Sequence, residues 1–403
     1  MTFQTGLAGL NASTKRLDII GNNIANANTV GAKSSRAEFA ALVSSAGAAG
    51  SNEGEGIGVA VSTVSQQFTQ GSINITGNSL DVAINGGGFF QITTPEGKSA
   101  YTRDGQFKLD RQGFVVTNQG ANLMGYQLDA TGTPTSITPQ KLTVPTGAPI
   151  AASATANITL EMNLDARAPV AASVTPPTPR TTYGTSLVAY DSQGIQIPVN
   201  LYFERVASTT TDNWNVYDVA TGGTSLFQLQ FDSSGALVSP ATSPTLTIAT
   251  PGTITPDISA TLDIGNATQY SSSFAVTKLT QDGYTAGDLT GVSIDQKGIL
   301  TTTYTNGQTK RLAQITLADF RNPQGLTPIS GGAWVETYKS GQPIQGKPSE
   351  GKFGELRSGA LEDSNVDLTA ELVAMMTAQR SYQANVQTIK TQDQAVQSLV
   401  NLR

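Results

Sequence analysis

No histidine and no cysteine occur among the 403 residues. That excludes Ser-His-Asp and Cys-His catalysis, Cys- and His-based zinc sites, and disulfides. Carboxylates, lysines and tyrosines are what remain for chemistry. Glu96, Asp104 and Asp110 fall in one stretch, but turn residues separate them, and they read as solvated. A general acid–base pair needs a second carboxylate beside an apolar pocket, and the sequence identifies none. Gly54-Glu55-Gly56-Ile57-Gly58 resembles a phosphate loop only loosely. It lacks the lysine and the strand-to-helix setting, and reads as linker glycine. Gly86-Gly87-Gly88 reads as a turn before the apolar run at Phe89. Asn11 and Asn157 open Asn-x-Ser/Thr triplets of the kind a Thr-rich chain contains by chance. Catalytic, cofactor and metal residues are therefore all assigned as none, and the chain is read as no enzyme.

The composition agrees. Charged residues make up 13% of the chain, about half the usual share. The net charge of −6 comes with no basic run, which argues against nucleic-acid partners and anionic membrane surfaces. Met1-Thr2-Phe3-Gln4-Thr5-Gly6-Leu7 carries no basic or apolar signal region, which argues against a cleaved secretory signal. No run reaches the roughly 18 apolar residues of a membrane span.

The strongest pattern lies at the two ends. Phe3, Leu7, Leu10, Thr14, Leu17, Gly21 and Ile24 recur in alternating steps of four and three. So do Leu368, Leu372, Met375, Tyr382, Val386, Ile389, Val396 and Val400, with polar Gln379 and Asp393 interleaved. This spacing predicts coiled-coil seams. It is compatible with a hairpin inside one chain or with a bundle shared between chains, and the polar members favour the second.

Between the seams the chain reads as strands. The Gly/Ala/Ser-rich stretch 44–58 and the Gly/Ser/Lys-rich stretch 339–354 read as flexible connectors. Asp104-Gly105 reads as a hairpin turn. Ser364-Asn365-Val366-Asp367 reads as a capping box opening the last helix. The expected fold is mixed and mainly β. Two nested β-rich domains are flanked by N- and C-terminal α-helices that form a coiled-coil core. The expected divisions are a terminal coiled-coil domain (1–30 and 363–403), a connector (31–75), an inner β domain (76–145 and 283–362) and an inserted outer β domain (146–282).

Several segments carry a likeness. Asn22-Asn23-Ile24-Ala25-Asn26-Ala27-Asn28-Thr29-Val30-Gly31 followed by Lys33 resembles the N-terminal signature of the bacterial flagellar rod and hook axial proteins. Gly88-Phe89-Phe90 with Tyr101-Thr102-Arg103-Asp104-Gly105-Gln106-Phe107 looks like that family's shared β domain. Residues 359–368, 378–383 and 390–393 resemble its C-terminus. Ala32 departs from the pattern, standing where the family usually has an aromatic. The length and the inserted domain are similar to the hook members, whereas distal rod members are shorter.

The resemblance implies a structural subunit of the flagellum that polymerises through its terminal helices into a curved extracellular tube. The tube would act as a universal joint, carrying motor torque from rod to filament. The helices would line its core, with the inner β domain around them and the inserted domain outside. The implied partners are copies of the chain itself, the distal rod protein, the hook–filament junction protein, the hook cap and the type III export apparatus. Export without a cleaved signal is also implied, and no cofactor. A distal rod subunit and a secreted β-domain adhesin are the alternatives.

Overall fold

The computed structural model describes residues 2–43, 56–129, 131–147, 149–209, 211–250 and 255–400. The side chains of Phe3, Val396 and Val400 and most of the expected 44–58 connector lie outside them. By its contacts the chain divides into two compact units, Met1–Gly147 with Gly291–Thr303 and Thr309–Arg403, and Ala148–Thr290 with Tyr304–Gln308. The fold is mainly β, with one helix at each end.

The first unit opens with helix α1 (Thr2–Ala25) and closes with helix α2 (Leu368–Val400). Their three-four apolar spacing gives each a stripe to bury. They run antiparallel, since an ideal Cβ on Gly6 meets Ile389 while Asn23 bonds Glu371. The start of α2 differs from the expected capping box. Asp367, not Ser364, is the cap, and its Oδ1 accepts the Thr369 and Ala370 N–H groups at 2.9 and 3.1 Å.

After α1 the expected connector is largely ordered strand. β1 (Ser35–Val43) pairs antiparallel with β2 (Gly56–Gln66) from Ser35↔Gln66 to Val43↔Gly56. Alternating Ala, Phe and Val suit a pleated surface, and α1 lies against it, with Ala8 close to Gly58. Next come β3 (Ile73–Ile75) and β4 (Val82–Asn85). They pair with Ala360–Glu362 and Glu355–Ser358, just before α2.

A thirteen-stranded sheet completes this unit. Its β5 (Phe89–Thr93) and β6 (Ser99–Thr102) form a hairpin closed at Gly97. Phe89, Tyr101, Phe320 and Trp334 pack edge-on in its core, with ring centroids 4.8–6.1 Å apart. Two expectations change here. Asp104-Gly105 does not turn a hairpin, because β6 pairs with β5 and Ala333–Val335, not with Phe107–Leu109. Gly105 is there for space: a Cβ would lie 1.7 Å from the Val82 carbonyl oxygen. Stretch 339–354 is no connector either, since Ile344–Gly346 pairs with Leu317–Asp319 in the sheet.

The second unit holds two five-stranded sheets sharing one core. Asn157–Asp165 buries every second residue, as an alternating strand must. Gly184–Tyr190, Gln196–Val206, Asp212–Tyr217, Phe227–Phe231 and Leu237–Ser239 form an antiparallel meander. Asp191 and Asp232 close turns with Gly194 and Gly235, each Oδ1 accepting N–H groups two and four residues on. Trp214 is fully buried at the centre, and its Nε1 has no hydrogen-bond partner among the described residues.

That orphaned donor sets an expectation. Trp214→Ala should cost about 3–5 kcal/mol, as large aromatic truncations do. Trp214→Phe should cost much less, because it removes an unpaired buried N–H together with the lost ring area. Urea denaturation followed by circular dichroism measures both.

Candidate functional site

The expected seam residues divide between two faces. Leu10, Leu17, Ile24, Met375, Tyr382, Val386 and Ile389 are half-buried. Leu7 is exposed, and so are Gln379 and Asp393. Leu368, Leu372, Val373 and Met376 are 47%, 48%, 53% and 54% exposed, and lie close together on the first two turns of α2.

The face of α2 that meets α1 combines Ile389 of the apolar pattern with residues that the pattern misses. Ala378 is buried. Asn385 lies over Gly9, Ile389 lies over Gly6, and Glu371 bonds Asn23. Small and polar residues carry this contact, so a search for large apolar side chains passes over them. Gly6, Gly9 and Ser13 at spacings of three and four were the available signal.

The signature Asn residues serve the corner where α1 ends. Asn22 is exposed, and its carbonyl accepts from the Asn26 N–H and side-chain amide at 3.1 and 2.9 Å. Asn23 is buried and reads the backbone of Ser35 from both sides. Its Nδ2 donates to Ser35 O at 2.9 Å, and its Oδ1 accepts Ser35 N–H at 2.8 Å. Asn365 does the equivalent from the other end of the chain, accepting Ser34 N–H and donating to Gln67 O and Thr69 O. Ile24 is half-buried and Ala25 exposed, while the Thr29 carbonyl accepts the Ala32 N–H. Ala32 lines a groove of about 240 Å³ with Asn26, Thr29 and Trp334. An aromatic side chain there would fill part of that space.

Gly31 and Lys33 lead into a buried charge cluster. Gly31 has φ +68°, and a Cβ on it would lie 2.5 Å from the Arg103 carbonyl carbon. Its N–H donates to Glu362 O at 2.7 Å. Lys33 Nζ donates to Glu362 Oε1 at 2.5 Å and to Thr69 O at 2.8 Å. Arg103 Nη1 donates to Glu362 Oε2 at 2.9 Å, and Nη2 to Gly86 O at 2.9 Å. The Gly71 N–H donates to Glu362 Oε1 at 3.0 Å. Arg103 also lies over the Phe89 ring. One carboxylate thus holds two cations where solvent does not reach. Burial pushes the Lys33 ammonium below its ordinary value of 10.5, against the pull of Glu362.

Glu96 is exposed, and Asp110 accepts backbone N–H groups in its own turn. Asp104 differs from the solvated reading. It is half-buried, and desolvation raises its carboxyl. Among the described residues no acidic cluster is placed to hold a metal ion, and no helix is long and apolar enough to cross a membrane.

Comparison with known proteins covers most of the chain. Residues 3–33 match the family model described as flagella basal body rod protein. Residues 83–163 match the flagellar hook protein FlgE/F/G D1 domain. Residues 163–284 match the flagellar basal body protein FlaE D2 domain, and 357–402 the flagellar basal body rod FlgEFG protein C-terminal region. The flagellar hook protein FlgE of Salmonella typhimurium is 40% identical, with all of both chains covered. That of Escherichia coli is 38% identical, again across both full lengths. That of Borreliella burgdorferi is 34% identical over all of this chain and 99% of its own. Among solved structures, the Helicobacter pylori flagellar hook protein FlgE2 shares the fold. Its TM-score is 0.55 at 16% identity, over 72% of this chain and all of its own.

The charge cluster fixes an order of severity. Glu362→Gln leaves two buried cations without a carboxylate and should cost about 3–5 kcal/mol. Lys33→Met should cost less than half of that. Glu362 keeps Arg103 and the Gly71 N–H, and Thr69 O keeps Asn365. A base with a lowered folded pKa weighs against folding while charged, and that penalty fades as pH climbs from the lowered value to 10.5. The parent should therefore gain stability relative to Lys33→Met over that alkaline span, read as urea midpoints against pH.

Proposed function

This chain belongs to the flagellar hook protein family and is a structural subunit of the hook; on that premise we propose that it polymerises through its terminal helices. The observation that carries this reading is the patch of Leu368, Leu372, Val373 and Met376. α1 covers the opposite side of α2, and these four apolar residues remain open to water. Clustered exposed apolar surface marks a site of association, and a second copy offers the same helices. Gln379 and Asp393 are exposed too, and polar seam residues that meet a neighbouring chain set register.

Assembled in this way, the subunits form a curved extracellular tube that passes motor torque from rod to filament while it bends. Since 344–346 is a sheet strand, that stretch is not the hinge on which bending turns. The distal rod protein and the hook–filament junction protein adjoin the two ends of the tube. The cap and the type III export apparatus act on the subunit during assembly and export. This role needs no catalysis and no cofactor. A rod or adhesin role is set aside, because hook relatives match the chain from end to end.

Negative-stain electron microscopy of the full-length chain under polymerising salt, with seeds, should show curved tubes. Leu372→Asp should abolish them and leave the thermal unfolding curve of the monomer unchanged, because Leu372 is exposed. Normal tubes from Leu372→Asp would remove the patch from the mechanism, and straight tubes from the parent would favour the rod.

A further inference from the structure

We propose that Asn385, seated over Gly9 and bonded to Ser13, is the residue that fixes the register of α2 on α1. Met375, Tyr382 and Ile389 sit one heptad apart and half-buried. A slip of seven residues replaces one large apolar side chain by another, so these three do not define a register. The polar and small residues do. An ideal Cβ on Gly9 would lie 3.0 Å from both Asn385 Nδ2 and Oδ1, so any other residue at position 9 crowds the amide. Asn385 Nδ2 donates to Ser13 Oγ at 3.3 Å, and buried Ser13 Oγ donates onward to Gly9 O at 2.9 Å.

A second polar contact repeats the match. Asn23 Nδ2 donates to Glu371 Oε1 at 2.9 Å. Residues 9 and 23, like 371 and 385, lie fourteen apart in the sequence, close to four helical turns. The two contacts therefore fall on one face of each helix, and a slip breaks both at once. After a slip of seven, position 385 faces either the first residues of the chain or the neighbourhood of Arg16, and the gap above Gly9 is lost. A buried polar residue in a seam selects register at some cost in stability.

For assembly, which rests on the hook reading, this register sets where the patch of Leu372 and Met376 stands relative to exposed Leu7. Every neighbouring subunit then meets the same composite surface.

A chain without cysteine gives no background in a disulfide-trapping test. Two pairs are introduced separately into the full-length protein and oxidised: Gly6→Cys with Ile389→Cys, and Gly6→Cys with Tyr382→Cys. In the parent background only the first pair should close. Adding Asn385→Ala, which fits the space and removes the amide, should let the second pair close as well, a shift of seven residues mapped by peptide mass spectrometry. Exchanging the partners, Ser13→Asn with Asn385→Ser, should restore closure of the first pair alone. The proposal is overturned if Asn385→Ala keeps the first pair exclusive, if the parent closes the second pair, or if neither closes. Microscopy of the same samples separates the two readings: exclusive register without tubes counts against the hook assembly and leaves the lock intact.

Discussion

Glu362 is the constraint on which the first unit depends. Its carboxylate is buried, and both oxygens are committed to cations drawn from distant parts of the chain. Lys33 follows the first helix, Arg103 follows β6, and Glu362 ends the last strand before α2. An isolated buried carboxylate is expensive, and so is an isolated buried lysine. Each cation is tolerable only with Glu362, and Glu362 only with a cation beside it, so the beginning, middle and end of this unit are conditional on one another.

The neighbouring contacts extend that dependence. Asn23 and Asn365, from opposite ends of the chain, grip the adjacent residues Ser35 and Ser34. β3 and β4 pair with the strands that precede α2. The closure at their base brings α1 and α2 together as an antiparallel pair. In the second unit, by contrast, the core is an apolar one between two sheets.

What the sequence made legible was what is local. Three-four spacing located both helices. What stayed hidden depends on partners far away in the chain. Lys33, Arg103 and Glu362 look like ordinary surface charges until the strands bring them together. Asp104-Gly105 has the composition of a turn, but the close passage of the Val82 backbone decides its role. The glycines and lysine of 339–354 suggested a hinge, whereas a free edge at Leu317–Asp319 recruits that stretch as a strand. Gly6 and Gly9 lie outside the apolar repeat, and Ile389 and Asn385 of the other helix lie over them.

The pairing of β3 and β4 with strands near residue 360 also bears on how the chain tolerates change in size. Ile75 is opposite Ala360, and Val82 is opposite Ser358, so the whole second unit lies within the loop these pairs close. The entropy of closing a loop grows only with the logarithm of its length, about 0.6 kcal/mol per doubling. An insert that folds on a core of its own adds less still, since its ends are already held together. The second unit could therefore be enlarged, trimmed or exchanged at almost no conformational cost to the ends of the chain. Variation in bulk belongs there, and constancy belongs to the few residues around Glu362.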